Sequence, residues 1–454
     1  MSRWWIIARR IARGIWFRAM LFTIAAIVVA VLAWAASSLL PDDTGIELGQ
    51  SSVGSLLEIL ATSMLAVTTF SLTTMVAAYT AAATAGTPRS TQLLITDSTS
   101  QNALSTYVGA FAFSIVGIIA LSLEVYSETG KALLFAATVL VVALVLVSLL
   151  RWISFLADFG RTPDVIERLE RAATRAMIAQ AKHPRMGASR WIAPAAEAVP
   201  IATQQPGYVV RIDVEHLERV AQHCGCEFWV LARPGARVSL GEPLVLSSTE
   251  LSHAAREHVL DAFFIEAHRT FEQDARLGLI ALSEVASKAL SPAVNDPGTA
   301  VEVLGALERV LRHAIVTDPD PEVVFPLVRM RGISVRDLLT DAFRPAARDG
   351  AAIVEVCVRL QRELGALAAA LEVDPVPRAE REVWAGELRR AGEEALARAE
   401  RGLHTPGDLD AVREAHAAWA DPAADPASRG AGAAGGAGAA GGAGAAGKRS
   451  DPRT

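Results

Sequence analysis

The chain of 454 residues is 52% hydrophobic and carries a formal net charge of −6, and its length leaves room for two or three domains. That acidic balance supplies no basic face for a phosphate backbone, so nucleic acid is not an expected partner. Cys224, Cys226 and Cys357 are its three cysteines. So few, and odd in number, they do not make a disulfide framework and suit a reducing compartment.

Four apolar stretches in the first third, at about 19–40, 59–83, 103–123 and 132–150, each approach the roughly 20 residues a helix needs to cross a bilayer. Arg3, Arg9, Arg10, Arg13 and Arg18 precede the first, interleaved with Trp4, Trp5 and Trp16, which keeps that end cytoplasmic. The small residues Ala35-Ala36-Ser37 also suit a cleavable signal peptide, but the stretch exceeds a signal core and three more follow. The loop from Pro41 to Glu47 is acidic, and Arg89, Arg151, Arg161 and Arg168 all fall on the opposite side. The expected topology is four spans in the inner (plasma) membrane with both termini cytoplasmic.

Hydroxyl residues fill the second span, Thr62, Ser63, Thr68, Thr69, Ser71, Thr73, Thr74 and Thr80 among them. Thr62, Thr69, Thr73 and Thr80 are candidates either for a helix-packing seam or for the lining of a water-filled path. No acid, Lys, Arg or His falls inside the spans as drawn, which argues against a proton pump built on a membrane carboxylate. Thr87-Pro88-Arg89 breaks the helix, and 90–102 is expected as a short interfacial helix.

Residues 158–206 are expected as a charged connecting helix, continuing the fourth span to about 183, and a proline-punctuated linker. Asp158-Phe159-Gly160 spells the kinase metal-binding tripeptide, without the loops that would give it meaning. A small α/β module is expected over 207–250: strands at 208–212 and 227–233, and between them a helix capped by Asp213 and ended by Gly225. The glycine turns of Arg233-Pro234-Gly235 and Leu240-Gly241-Glu242 look like half-motifs of lipoyl-type sandwich barrels, but no Met-Lys acceptor is present. Helices are expected over 251–275, 276–290, 298–316, 335–344, 350–373 and 377–402, with a strand at 323–330. The tail from 403 is Gly/Ala-rich at 430–447 and expected to be disordered from about 421. The fold class is thus an α-helical polytopic membrane domain (1–157, four transmembrane helices) plus a mixed α+β, mainly helical, cytoplasmic domain.

The densest polar cluster runs from Gln273-Asp274-Ala275-Arg276 to Ser291-Pro292-Ala293-Val294-Asn295-Asp296-Pro297. Ser291-Pro292 stops one helix and Asp296-Pro297 starts the next, which describes a rigid corner. Glu284 and Lys288 can pair four residues apart. Alternatively Asp274, Glu284, Lys288, Asn295 and Asp296 form a ligand or ion site, with oxygens suited to Mg²⁺ or Ca²⁺. His223-Cys224-Gly225-Cys226 reads as a helix end or a soft-metal site. His216 with Cys224 and Cys226 lacks the Pro-Cys-x-x-Cys of a zinc deaminase, and His253 and His258 stand about 140° apart on a helix, too far to share a metal. The cofactor is left open, and no nucleophile–base pair is visible.

The stretch from Phe271 to Ala300, together with 87–104 and 233–244, resembles the hallmark of an uncharacterised family of bacterial predicted membrane proteins, domain of unknown function two-two-five-four. The resemblance covers about 1–375 and implies a polytopic inner-membrane protein with a large cytoplasmic domain and no established activity. Three functions compete: an oligomeric channel or transporter regulated by its cytoplasmic domain, a membrane-anchored ligand sensor or scaffold, and a divalent-metal hydrolase acting around 274–296. Expected partners are the lipid bilayer, further copies of the chain in a homo-oligomer, and a small ligand or ion.

Overall fold

A computed structural model describes residues 50–95, 98–123, 128–320, 322–373 and 377–420, with scattered positions between 17 and 31. The chain divides into two compact units, Met1–Arg171 and Ala172–Thr454. The expected span at 19–40 lies mostly outside the described residues, and the tail from 421 lies wholly outside them.

In the first unit, helices α1 (Gln50–Ala85), α3 (Ser98–Ser122) and α4 (Glu128–Asp158) contain stretches long and apolar enough to cross a membrane, at Ser52–Ala81, Thr99–Ser122 and Gly130–Ala157. They pack through Leu57, Phe113 and Leu134 in one layer and Met64, Tyr107 and Trp152 in another. A side chain at Gly117 would approach Leu57 to 3.0 Å, so α3 lies tight against α1. Two expectations change here. The second span begins earlier than 59, and so takes in the exposed carboxylate of Glu58. The interfacial helix α2 is short, Pro88–Ile95, because 98–102 already belongs to α3. Thr87 and Ser90 cap α2 reciprocally: Thr87 N–H donates to Ser90 Oγ at 2.7 Å and Ser90 N–H to Thr87 Oγ1 at 3.4 Å.

The connecting helix is not an unbroken extension of α4. Asp158-Phe159-Gly160 is where α4 ends, with Gly160 at φ 80°, a left-handed turn that suits a residue lacking a Cβ. Helix α5 then runs Thr162–Lys182, and Asp164 in its first turn accepts from Arg168 Nε at 2.7 Å.

The second unit combines two sheets with a helical bundle. Strands β1 (Ala188–Arg190), β2 (Val199–Ala202), β3 (Gly207–Ile212), β4 (Phe228–Val230), β5 (Arg237–Val238), β6 (Pro243–Ser247), β7 (Phe263–Glu266) and β8 (Phe325–Met330) form a five-stranded sheet, β1-β8-β4-β6-β2, and a three-stranded one, β5-β3-β7. The stretch expected as linker therefore contributes β1 and β2. Likewise β8, far along the chain, inserts parallel to both β1 and β4. Arg329 holds it there with a two-pronged bond to Glu227 (3.0 and 2.9 Å), and the buried Glu218 accepts from Leu327 N–H at 3.0 Å. Helix α6 (Val214–Cys224) is capped by Asp213 and closed by Gly225 at φ 61°. The helix expected over 251–275 is only α7, His253–Asp261. Phe263-Phe264-Ile265 favour a strand, and β7 pairs antiparallel with β3.

The remainder is helical: α8 (Ala275–Ala289), α9 (Pro297–Val316), α10 (Val335–Asp349), α11 (Val354–Val373), α12 (Arg378–Gly402) and α13 (Pro406–Ala420). Helix α13 falls in the expected tail; Val412 is fully buried, and Trp419 lies against Gly365 and Gly392. Helix α8 meets the middle of α5 almost backbone to backbone, since a Cβ on Gly278 would stand 2.4 Å from that of Ala173.

Candidate functional site

In the second unit a cavity of about 300 Å³ is lined by Arg185, Arg233, Arg269, Arg276 and Arg331, with Gln180, Gln273 and an apolar wall including Leu231, Met330 and Ile333. Its volume is at the lower end for small-molecule pockets. Parallel neighbours β4 and β8 open onto it at their carboxyl ends, where Leu231–Arg233 and Arg331–Ile333 follow. That is the usual ligand edge of a parallel pair in open sheets.

Local chemistry sets each wall. Arg233-Pro234-Gly235-Ala236 is a tight turn closed by Ala236 N–H donating to Arg233 O at 2.9 Å, with Gly235 at φ 89°, the pattern of proline then glycine at its centre. Gly235 N–H and Val209 O (2.8 Å), then Val209 N–H and Ala236 O (2.9 Å), pin the turn to β3. A Cβ on Gly235 would stand 2.4 Å from Asp274 Oδ2 and 2.8 Å from Arg269 Nη2. Asp274 is 2% exposed and works twice: Oδ1 caps α8 through Leu277 N–H (3.1 Å), and Oδ2 accepts from Arg269 Nε (2.7 Å). Gln273 Oε1 accepts from Ile212 N–H at 2.9 Å, tying the approach to α8 to β3.

Arg276 donates to Asp341 through Nε (2.5 Å) and Nη2 (3.1 Å), and its Nη1 lies 3.4 Å from Asp337. Its bonds to Asp341 push its pKa above the ordinary guanidinium value. Arg233 reaches the same Asp337 at 3.8 Å. Burial lowers its pKa, and Arg276 and Arg331 add to that against Asp337, although a guanidinium stays charged throughout. Arg331 lies over the ring of Trp191 at 4.3 Å, a cation–π seat. Arg185 gives its Nε to Ala188 O at 3.4 Å. Among the described residues neither Arg185 nor Arg331 has a carboxylate at ion-pair distance. Beside Arg185, Met186 sits at φ 52°, uncommon for a residue with a side chain.

This arrangement concentrates positive charge. The lining contains no Ser, Cys, His, Asp or Glu. Among the described residues no three metal-ligating side chains gather.

The residues expected as a site are dispersed. Asp274 caps the start of α8, whereas Asn295 and Asp296 lie beyond its other end, across a 15-residue helix about 22 Å long. Asp296 caps α9 through Thr299 N–H (3.0 Å) and Oγ1 (2.6 Å), bonds that hold its pKa low. Asn295 takes φ 50° in the corner, and Glu284 and Lys288 lie between the two ends on α8. At the other candidate, His223-Cys224-Gly225-Cys226, the helix closes with Gly225 and Cys226 is buried. On α1, Thr62, Thr69, Thr73 and Thr80 share one exposed stripe within about 40°, and Glu58 adjoins it. Thr69, Thr73 and Thr80 donate to carbonyls four residues back at 2.9–3.0 Å. Sequence reading quoted Arg233 and Arg276 only as parts of motifs and passed over Arg185, Arg269 and Arg331. The available signal was that 233–244 and 271–300 each carry an arginine beside a turn or helix start.

The model of the predicted membrane protein family DUF2254 matches residues 12–366. The chain belongs to that family. Uncharacterized proteins of Mycobacterium bovis and Mycobacterium tuberculosis are 30% identical over 138 residues, which is 28% of this chain and 26% of each relative. This DUF2254 chain thus matches about a quarter of the length of those relatives. No solved structure matches it.

Proposed function

We propose that this membrane protein is an anchored receptor for a small organic anion, taken up in the arginine-lined cavity of its second unit. The observation that carries the reading is five guanidinium groups around one cavity that has no catalytic group in its lining. In this reading the protein sits in the inner membrane with its second unit in the cytoplasm, the side on which Arg89, Arg151 and Arg161 flank the spans. The test is thermal unfolding of the full chain in lipid nanodiscs against a panel of phosphate, sulfate, carboxylate and phosphate-ester compounds. A ligand at a hundred times its Kd stabilises by about 2.7 kcal/mol, a rise of about 5–10 °C. No shift with any anion, or an equal shift after Arg233→Ala, overturns the reading.

The exposed stripe of Glu58, Thr62, Thr69, Thr73 and Thr80 favours a second reading, in which copies of the chain assemble with α1 facing a hydrated path and the second unit regulates passage. Proteoliposomes then conduct ions or small solutes, and Glu58→Gln alters selectivity for cations. A monomer in mild detergent that passes nothing when reconstituted removes this reading.

A further inference from the structure

The cavity's own charges narrow the ligand class, an inference that rests on the receptor reading. Arg269 is matched by Asp274 and Arg276 by Asp341, while Arg233 shares Asp337 with Arg276. Arg185 and Arg331 have no such carboxylate among the described residues, so positive charge is in excess in the cavity. These groups come from separate places: the end of α5, the turn after β4 and the residue after β8. Three donors carried on three separate segments suit a tetrahedral group with three peripheral oxygens better than a planar carboxylate with two. A phosphate monoester has those three oxygens and carries about −1.5 to −2 charge at neutral pH. The apolar part of the lining, Leu231, Met330 and Ile333, suits a compact apolar body and offers a free inorganic ion nothing.

We infer that the cavity binds the dianionic phosphoryl end of a small phosphate monoester, held by Arg185, Arg233 and Arg331, with its organic body against Leu231, Met330 and Ile333. Two sources share this chemistry, a soluble phosphate ester and the monoester headgroup of phosphatidic acid.

The experiment is titration calorimetry of the full chain in phosphatidylcholine nanodiscs, with phenyl phosphate, inorganic phosphate, benzoate and phthalate as probes. Phenyl phosphate is expected to bind at least tenfold tighter than the other three. Arg331→Ala and Arg185→Ala each weaken it about ten- to a hundredfold, the loss of a charged hydrogen bond, with the unfolding temperature of the empty protein as the folding control. The lining holds no histidine and no carboxylate, so the pH dependence expected here is that of the ligand. With a second phosphate pKa near 6, binding falls about tenfold between pH 7 and pH 5. Nanodiscs containing phosphatidic acid separate the sources: competition with phenyl phosphate assigns the site to the lipid headgroup, and undiminished binding assigns it to a soluble ester. Phthalate or benzoate binding as well as phenyl phosphate, without the pH effect, overturns the phosphoryl assignment while the receptor reading stands. If none of the four binds, both fall.

Discussion

Asp274 supports the cavity, and its two roles separate by substitution. Asp274→Ala removes a helix cap, worth about 1 kcal/mol. It also takes from Arg269, only 16% exposed, the carboxylate 2.7 Å away; breaking a buried pair from one side costs about 3 kcal/mol or more. Asp274→Asn keeps a good capping oxygen and loses only the charge. The expected losses are therefore about 4 kcal/mol for Ala and about 3 kcal/mol for Asn. At about 2–4 °C per kcal/mol for a domain of this size, unfolding falls by about 8–16 °C and about 6–12 °C respectively. The assay is thermal unfolding of the full chain in detergent, followed by circular dichroism and by tryptophan emission. Two variants within about 2 °C of wild type would show that neither role bears on stability and refute the reasoning. Asn as damaging as Ala, at a small total, would assign the effect to the ion pair alone.

Gly235→Ala drives a methyl group against Asp274 Oδ2 and forces a side chain onto φ 89°; a loss of about 1–3 kcal/mol is expected in urea unfolding, together with weaker anion binding. Glu308 and Glu363, 8% and 6% exposed, both have pKa values raised by burial, and for Glu308 the nearby Glu363 adds to it. A raised carboxyl pKa means that stability falls as pH rises from the unfolded value through the folded one. Glu308→Gln should therefore raise the unfolding temperature more at pH 8 than at pH 4, and the reverse order would contradict the assignment. Burial pushes the Cys357 thiol up to about 11 and Cys226 upward too, whereas Cys224 is half-exposed. Iodoacetamide at pH 8 should label Cys224 first in the native protein, with Cys357 reacting only on unfolding, as peptide mass mapping would show.

The sequence was informative wherever a signal is local. Hydropathy marks the apolar helices at 103–123 and 132–150, though the second runs on to Ala157, and Asp213, Gly225 and Asp296 each sit at the helix end their chemistry suggests. Propensity failed where pairing across long separations decides. Ala188–Arg190 and Val199–Ala202 become strands only because β8 and β6 lie beside them, and Phe263–Glu266 turns from helix to strand against β3. The cavity escaped for the same reason, with a further one: its arginines are spread from 185 to 331 and assembled by parallel pairing of β4 with β8. A net charge of −6 described the whole chain and hid this concentrated basic spot.

Gly278 has a mechanical consequence. With a Cβ-to-Cβ space of only 2.4 Å to Ala173, no side chain cushions α5 from α8. The two rods touch there through small residues alone. One rod carries Gln180 at its far end and the other bears Arg276 in its first turn. Any side chain larger than hydrogen at 278 would therefore press apart two helices that each carry a residue of the cavity lining.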